Sequence, residues 1–475
     1  MKKYISKIFL LGFILAATSC EDRLFVLDPN TLPPEVALGS INGFEALLLG
    51  AYNRVHDFRW YGQQAMIHPE VMADNIDFAN RTGRYENEYV NAVRSHMDRW
   101  NVFGDIWGGI NDANVIINRV GDVESPQSQK DRLIGQSLFI RALNYHELAK
   151  VYSYEPGQEV NGFNLSLPLK VTPTEGVSDA VQPQTRVTNT VLYDQMVGDL
   201  QEAVTLLSAN DPGNFPYRAN RDAAEALLAR VLLYKGDFAA AAQAAQNVIN
   251  RGRVTLLSGQ NYLDSWGLVT HPESLFEAEI RPPDWTTVDG VNNSLHTLTM
   301  NIIPSSQFII VASPELIASI DSESGDIRRQ LFVNSASIPP GTQVCTKWRG
   351  ELGDFREHIP IIRISEVYLI AAEGYFRSGN TQNALSIYNM FRSARNLPAM
   401  TQSGNFMEMI MKDRRVEFAF EGHRWFDLKR NGMDIPKTAA SQQPTLSYND
   451  FRILSFIPER ELNLDDELVQ NPGYN

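Results

Sequence analysis

The stretches IIRISEVYLIAAEGYFRSGNTQNALSIYNMFRSARN (residues 361–396) and MEMIMKDRRVEFAFEGHRWFDLKRNG (residues 407–432) decide the fold of this chain. In the first stretch, apolar residues recur every three or four positions, at Ile364, Val367, Tyr368, Ala371, Ala372, Tyr375 and Phe376. This spacing predicts an amphipathic helix, which Gly379 ends because glycine readily takes the left-handed conformation of a helix C-terminus. A second helix is expected after it, because another apolar stripe follows at Ala384, Ile387, Tyr388 and Phe391.

The same helical hairpin is predicted earlier, in RDAAEALLARVLLYKGDFAAAAQAAQNVIN (residues 221–250). A small residue, a turn glycine and a second small residue recur there at the same spacing, as Ala229, Gly236 and Ala241. This register is typical of tetratricopeptide repeats. The small residues, which include Ala372 in the later hairpin, are expected where two helix backbones approach closely.

Two further helix pairs are expected, one joining Leu133–Tyr152 to Val191–Leu207 and the other within Phe406–Arg430. Asp237 and Asn380 follow the two turn glycines and are expected to cap the next helices. The units are separated by long insertions, unlike the contiguous repeats of a simple solenoid. We therefore predict a mainly α fold with about four tetratricopeptide-like hairpins that support long, loop-rich insertions.

Several blocks of this sequence together resemble the SusD/RagB family of surface nutrient-binding lipoproteins of Bacteroidota. The blocks are the two stretches above, WNVFGDIWGGINDANVIINRV, SLFIRALNYHELAKVY, AAEALLARVLLYKGDFAAAAQAAQNVI and the terminal FIPERELNLDDELVQNPGYN. The resemblance covers about Thr18 to Asn475. It implies a single SusD-like domain over 20–475, with an N-terminal part of about 20–330 and a RagB/SusD part of about 331–475. It also implies non-catalytic ligand binding and a SusC/RagA-like TonB-dependent transporter as partner.

The N-terminus has the pattern of a bacterial lipoprotein signal peptide over residues 1–19. Lys2, Lys3 and Lys7 precede the apolar Ile8–Ala17, which is too short to span a bilayer as a helix, and small residues lead to Cys20. We expect lipid, including palmitate, on the Cys20 thiol; the alternative is an ordinary secretory signal beside a chance cysteine. Multiple acyl chains would anchor the chain stably to a membrane.

The residues after the cysteine and the net charge bear on location and partners. Glu21-Asp22 resembles the surface-export signal of Bacteroidota lipoproteins, which predicts the outer face of the outer membrane. Removing the signal removes three lysines and no acidic residue, so the net charge changes from −14 to −17. Such an acidic chain is not expected to bind nucleic acid. Cys345 is left without a cysteine partner, so no intramolecular disulfide is expected.

The sequence offers little for catalysis. The eight histidines form no HExxH motif, and neither a GxSxG elbow nor a nucleotide-binding glycine loop occurs. Asp465-Asp466-Glu467 has ligand types that suit calcium, but we expect a solvated acidic turn there. The chain is therefore expected to be no enzyme and to need neither a cofactor nor a metal.

Aromatic residues on irregular loops are the best candidates for a binding site, because sugar rings stack on aromatic faces. Trp60-Tyr61 opens a polar loop region, and Asp284-Trp285 lies in a Pro-rich segment. We predict stacking on Trp60 and Trp285, with polar contacts from the neighbouring Tyr61, Asn80, Arg81, Tyr85 and Asp284. The alternative for each tryptophan is burial under its loop. Core packing is expected for the other five, which are Trp100, Trp107, Trp266, Trp348 and Trp425.

The expected function is binding of a nutrient oligomer at the cell surface and its delivery to the transporter. A glycan is the favoured cargo and a peptide is the alternative. A surface glycan hydrolase is disfavoured by the lack of a catalytic constellation. A tetratricopeptide adaptor for other proteins is disfavoured because long insertions interrupt the repeats.

Replacing the cysteine tests the lipoprotein prediction. Cys20→Ser removes the thiol to which lipid would be attached, so the variant should not incorporate labelled palmitate and should be released or remain as uncleaved precursor. Metabolic labelling followed by fractionation measures this. Palmitate incorporation by the Cys20→Ser variant would contradict the assignment.

Overall fold

The computed structural model describes residues 37–92, 103–176, 179, 182, 184–281, 287–300, 306–334, 342–353, 355–402 and 404–474. It is about 53% helical, with 17 α-helices in the described residues and few strands. This is well above the one-third of residues that is typical of globular proteins, and it confirms the predicted mainly α class. None of the described helices is long and apolar enough to cross a membrane.

The helices are numbered in chain order. They are α1 Ile41–Val55, α2 Gln64–Val71, α3 Glu86–Tyr89, α4 Phe103–Arg119, α5 Gln127–Tyr152, α6 Asn189–Ala209, α7 Arg221–Lys235, α8 Phe238–Arg251, α9 Gly259–Ser265, α10 Thr287–Asn293, α11 Leu295–Thr299, α12 Pro314–Asp321, α13 Ile364–Arg377, α14 Thr381–Ala394, α15 Phe406–Glu417, α16 Arg424–Lys429 and α17 Glu459–Leu464. The strands are β1 Ile76–Phe78, β2 Leu165–Pro168, β3 Arg186–Thr188, β4 Ser274–Ala278, β5 Ile310–Ala312, β6 Phe332–Asn334, β7 Gln343–Cys345 and β8 Ile359–Arg363.

Four helix pairs pack side by side in one array, in the order α1 with α4, α5 with α6, α7 with α8, and α13 with α14. Each pair also packs on the next, so α8 lies against α13 although residues 252–363 separate them in the chain. Three of the pairs are those predicted from the sequence. The described parts of the insertions at 56–102, 153–188 and 252–363 lie outside this array and contain all eight strands of the described residues.

The segment Phe406–Arg430 does form two helices, α15 and α16, but it is not one of the four pairs. Phe420 and Gly422 have positive φ values of 66° and 79°, so the chain turns sharply after α15. The six-residue α16 then packs against α2. The fourth pair is instead formed by α1 and α4, which the sequence analysis did not predict.

Both predicted turn glycines adopt the left-handed conformation, with φ of 89° at Gly236 and 88° at Gly379. Asn380 caps α14 as expected, because its side chain accepts a hydrogen bond from the backbone N–H of Asn383. Asp237 does not cap α8. Its carboxylate accepts a hydrogen bond from Lys235 Nζ at 2.5 Å instead, which draws it away from the helix end.

Small residues set the spacing between neighbouring helices. Ala372 and Ala384 are completely buried, as predicted. The tightest approach is at Gly374 in α13, where an added Cβ would lie 2.7 Å from the carbonyl oxygen of Phe238 and 3.0 Å from the Cβ of Ala242 in α8. Only glycine fits there without a shift of one helix.

The strands form three small antiparallel sheets. One has the order β1-β5-β7-β6, and the others pair β2 with β3 and β4 with β8. Pairing of Ile76 with Ala312 and of Phe78 with Ile310 joins two insertions that are far apart in sequence. The loops that follow β1 and precede β5 are thereby brought together.

Overpacking of α13 tests the helix spacing. Ala372→Leu should lower the free energy of unfolding by about 1–3 kcal/mol, because the added methylenes have no space between α13 and its neighbours. The matched control is Ala239→Leu on the exposed side of α8, which should change it by no more than about 0.5 kcal/mol. Equal denaturation midpoints for both variants would contradict close approach at Ala372.

Candidate ligand-binding surface

Trp60 and Tyr61 are part of the core rather than a surface for stacking. Their residues are 1% and 5% exposed, and their rings pack on each other with centroids 5.3 Å apart. The hydroxyl of Tyr61 donates a hydrogen bond to Glu147 at 2.6 Å. The prediction of Trp60 as a stacking ring and Tyr61 as a polar ligand contact is therefore wrong for this structure.

A compact turn explains the burial of Trp60. The backbone N–H of Trp60 donates to the carbonyl of Asp57 at 2.8 Å, and that of Ala65 donates to the carbonyl of Trp60 at 2.9 Å. The turn is so tight that a Cβ on Gly62 would lie 2.4 Å from the carbonyl oxygen of His56. These bonds fold the chain back on itself and place the ring in the core.

Two other predicted residues, Asn80 and Arg81, are exposed, and they lie beside a distant part of the chain. Asn80 donates to the carbonyl of Phe308 at 2.7 Å. The side chain of Arg81 is 55% exposed, and its guanidinium lies 5.2 Å from the centroid of the Phe78 ring. We call residues 80–84, together with Asn292 and Gln307, the loop surface.

Arg84 joins the two sides of the loop surface. Its guanidinium donates to the carbonyl of Asn292 at 2.7 Å and to the side chains of Gln307 at 2.6 Å and Gln63 at 2.7 Å. Gln63 is completely buried and in turn donates to the carbonyl of Ser294 at 3.1 Å. Neither Arg84 nor Gln63 was predicted from the sequence. Arg84 had a signal, since it lies in the same polar loop, whereas nothing in the sequence distinguishes Gln63.

Tyr85 lies beneath the loop surface and not on it. The residue is 6% exposed, and its hydroxyl donates to Gln63 at 2.5 Å. The prediction that Tyr85 contacts ligand directly is therefore wrong for this structure, and its observed role is to support Gln63. Burial raises the pKa of the Tyr85 hydroxyl to about 12, so it remains a donor at neutral pH.

Two bulky residues on opposite sides of this surface have strained backbones. Tyr85 has φ of 60° and Phe308 has φ of 40°, in the left-handed region that non-glycine residues seldom adopt. Such strain persists only where surrounding contacts hold it, and it is concentrated at functional sites. The hydrogen bonds of Asn80, Arg84 and Gln63 supply those contacts here.

Asp284 and Trp285 lie outside the described residues. The described chain resumes at Thr287 in α10, and Asn292 at the end of that helix accepts the hydrogen bond from Arg84. A buried carboxylate holds the next helix, because Glu357 accepts from the backbone N–H of His296 at 3.0 Å. Burial raises the pKa of Glu357 to about 8. The structure thus joins the loop of Asn80 and Arg81 to the segment that follows Trp285.

A cleft separate from the loop surface lies between α4, β2 and α17 and has a volume of about 810 Å³. We call it the second cleft. Trp107 lines it while packing at a right angle on Tyr145, with ring centroids 5.8 Å apart. Trp107 was predicted to be core and is only partly buried. Carboxylates of the predicted acidic turn line the same cleft, and Asp465 accepts from the backbone N–H of Gln184 at 2.5 Å.

Three of the four remaining tryptophans lie in the core. Trp266, Trp348 and Trp425 are buried, as predicted, and Trp100 lies outside the described residues. Within the part of the chain that is described, no group of three or more histidine, cysteine or acidic side chains is placed to hold a metal ion.

Two protein-family models match this chain. A family model described as "SusD family" matches residues 351–474, and one described as "Starch-binding associating with outer membrane" matches residues 42–233. SusD-like protein P2 of Formosa agariphila is 24% identical over the full length of both chains. The starch-binding protein SusD of Bacteroides thetaiotaomicron is 31% identical over 24% of this chain and 21% of its own.

Solved structures show the same fold. A SusD superfamily protein from Bacteroides thetaiotaomicron superposes with a TM-score of 0.80 at 24% identity, covering 91% of this chain and 100% of its own. A laminarin-binding SusD-like protein superposes with a TM-score of 0.71 at 22% identity, covering 91% and 99%. The chain belongs to the SusD/RagB family. The members of this family are binding proteins and not enzymes.

Truncation of Trp60 tests its placement in the core. Trp60→Ala should lower the free energy of unfolding by about 3–5 kcal/mol, because it leaves a cavity where a large buried ring packs. Arg81→Ala, at an exposed position in the nearby loop, should change it by no more than about 0.5 kcal/mol. Chemical denaturation of both variants measures this difference. A Trp60→Ala variant as stable as the wild type would show that the ring is not part of the core.

Proposed function

We propose that this protein binds an oligosaccharide at the outer surface of the outer membrane and delivers it to a TonB-dependent transporter. The observation that carries the proposal is the loop surface, where two insertions meet and expose polar side chains. Hydrogen bonds of Asn80 and Arg84 hold this surface, and Tyr85 and Phe308 beside it have strained backbones. The starch-binding relative and the laminarin-binding structural neighbour support a glycan as cargo. Peptide cargo is the alternative.

In this proposal the loop surface recognises sugar hydroxyls through fixed polar groups. Arg81 has an exposed guanidinium, and the amide of Asn80 is held at the surface by its bond to Phe308. Because Gln63 and Gln307 hold Arg84, the loop loses little conformational freedom when ligand binds. Such preorganised polar groups fix the orientation of a bound ligand.

Trp285 remains the proposed stacking ring, and Asp284 a proposed polar contact. Trp285 precedes by two residues the helix α10, whose Asn292 lies at the loop surface. Stacking of a sugar on an indole ring requires no charge and tolerates different sugars, so it suits a nutrient receptor. The cleft lined by Trp107 is the alternative location for the sugar.

The location and the partner are also proposals. A lipid on Cys20 would hold the protein at the membrane, and the acidic residues that follow it suit export to the outer face. The family description that mentions the outer membrane supports this location. Modest affinity suits the role, because captured ligand has to be released to a SusC/RagA-like transporter.

Calorimetric titration with laminarin and starch oligosaccharides tests the site. Trp285→Ala and Arg81→Ala should each weaken binding by about tenfold, because each removes a contact worth about 1 kcal/mol or more. The matched controls are Trp107→Ala in the second cleft and Arg119→Ala at a distant exposed ion pair, which should leave binding unchanged.

Three results would change the proposal. Loss of binding only in Trp107→Ala would move the site to the second cleft. Binding of peptides but of no oligosaccharide would replace glycan by peptide cargo. Unchanged binding in all variants would exclude both locations.

A further inference from the structure

A groove distinct from the loop surface lies between α15, α16 and the end of α13, with a volume of about 510 Å³. Four cationic side chains line it, Arg377, Lys412, Arg415 and Arg424. Glu408 is the one carboxylate among its described lining residues. This excess of positive charge is unexpected in a chain with a net charge of −14. We call this feature the basic groove.

The cations of the basic groove share their carboxylate partners with other cations. Asp74 pairs with both Arg415 and Arg424, at 2.9 Å and 2.8 Å. In the same way, Glu323 pairs with Lys412 at 2.6 Å and also with Arg392.

Arg377, the fourth cation of the groove, also shares its carboxylate partner. Glu373 pairs with Arg377 at 2.9 Å and with Arg430 at 2.7 Å. The shared carboxylates of Asp74 and Glu373 are buried and Glu323 is largely so, whereas the cations line the groove. Four cations and one carboxylate therefore line the groove, and the partner carboxylates lie behind the cations. Arg392 and Arg430 also pair with Asp413 and Asp427, so the positive excess belongs to the lining of the groove and not to the whole set of ion pairs.

Arg415 lies close enough to Arg424 for the two positive charges to repel each other. Burial is the largest cause that lowers the pKa of its guanidinium to about 10; repulsion from Arg424 adds to this shift, and attraction from Asp74, Glu315 and Glu70 acts against it. An anion bound in the groove would offset this repulsion, and Arg guanidiniums hold oxyanions through paired hydrogen bonds.

The other walls of the groove are apolar. Met407, Met411, Leu428 and Met433 line it, and Met433 is 43% exposed. The volume is many times the roughly 30 Å³ of a water molecule, so the groove has room for more than a bare ion. Methionine side chains adapt to irregular apolar surfaces such as the C–H faces of a sugar ring.

We propose that the basic groove binds an acidic saccharide, a sugar that carries a sulfate or carboxylate group. The cations take the charged substituent, and the methionines contact the ring. The choice of a saccharide over an acidic peptide rests on the proposed function. The groove shares no residue with the loop surface, so binding of neutral glycans and of acidic sugars should be separable.

The probe is a trisulfated heparin disaccharide, titrated by calorimetry against the full soluble chain in parallel with maltose, inorganic sulfate and tri-aspartate. The disaccharide should bind at least tenfold more tightly than inorganic sulfate and tri-aspartate, and any binding of maltose at the loop surface should not depend on the basic groove. Its affinity should fall as the salt concentration rises, because Arg377 and Lys412 are partly exposed to solvent.

Lys412→Met and Arg377→Met locate the binding. Each leaves the former carboxylate partner paired, Glu323 with Arg392 and Glu373 with Arg430, so the fold should be retained, as a thermal melt would show. Each should weaken disaccharide binding by about tenfold without changing the binding of laminarin oligosaccharides. The matched control is Lys130→Met on α5, which should change neither.

Four outcomes would overturn the proposal. Inorganic sulfate that binds as tightly as the disaccharide would show a simple ion site, and equal binding of tri-aspartate would show a peptide site. Binding of maltose that falls to the same extent in Lys412→Met and Arg377→Met as binding of the disaccharide would show that charge has no role. Folded variants that bind the disaccharide like the wild type would show that the basic groove does not hold it. A wild-type chain that binds the disaccharide but no laminarin oligosaccharide would leave this proposal intact and count against the loop surface.

Discussion

The carboxylate of Glu417, at the end of α15, lies in the core between two guanidiniums. It accepts hydrogen bonds from Arg363 at 2.9 Å and from Arg395 at 2.9 Å, and Glu273 pairs with the same two arginines at 3.0 Å. All four side chains are almost completely buried. Although burial acts to raise the pKa of Glu417, the two arginines hold it well below its usual value. The group is therefore charged, and its partners have to remain in place because an unpaired buried charge is very costly.

This cluster joins four parts of the chain that are distant in sequence. Arg363 ends β8 and precedes α13, Arg395 follows α14, and Glu273 precedes β4 in the long insertion. Further ion pairs connect the cluster outward. Glu421 binds both Arg363 and Lys347, which lies after β7 in the sheet that contains β1 and β5.

A second set of contacts extends from α16 toward the loop surface. The carboxylate of Glu70 accepts from the backbone N–H groups of His423 and Arg424 and from the side chain of Asn75, directly before β1. Because β1 leads into Asn80 and Arg81, these hydrogen bonds help to position the loop surface. Asp74, which precedes Asn75, pairs with Arg415 and Arg424 of the basic groove. The turn that follows Glu417 is thus hydrogen-bonded to the segment before β1, from which the chain leads to the loop surface and whose Asp74 pairs with cations of the basic groove.

The sequence predicted the helices far better than the charged core. Periodic apolar residues and turn glycines determine α7, α8, α13 and α14 locally, which is why those elements were predicted correctly. Glu417 could not be identified, since charged residues in KDRRVE are normally read as the solvated face of a helix. Trp60 was misread for the same reason, because its neighbours are polar and its burial depends on hydrogen bonds within the turn. The pair of α1 and α4, whose helices are separated by the insertion at 56–102, was also not predicted.

The measurement that tests the central role of Glu417 is a double-mutant cycle of unfolding free energies with Glu417→Gln and Arg395→Met. Each single variant should lose about 3–5 kcal/mol, because it leaves a buried charge without its partner. The double variant should lose clearly less than the sum, since the two side chains are in contact. Losses below about 0.5 kcal/mol would show that the fold does not depend on this cluster, and strictly additive losses would show that Glu417 and Arg395 do not stabilise it as a pair.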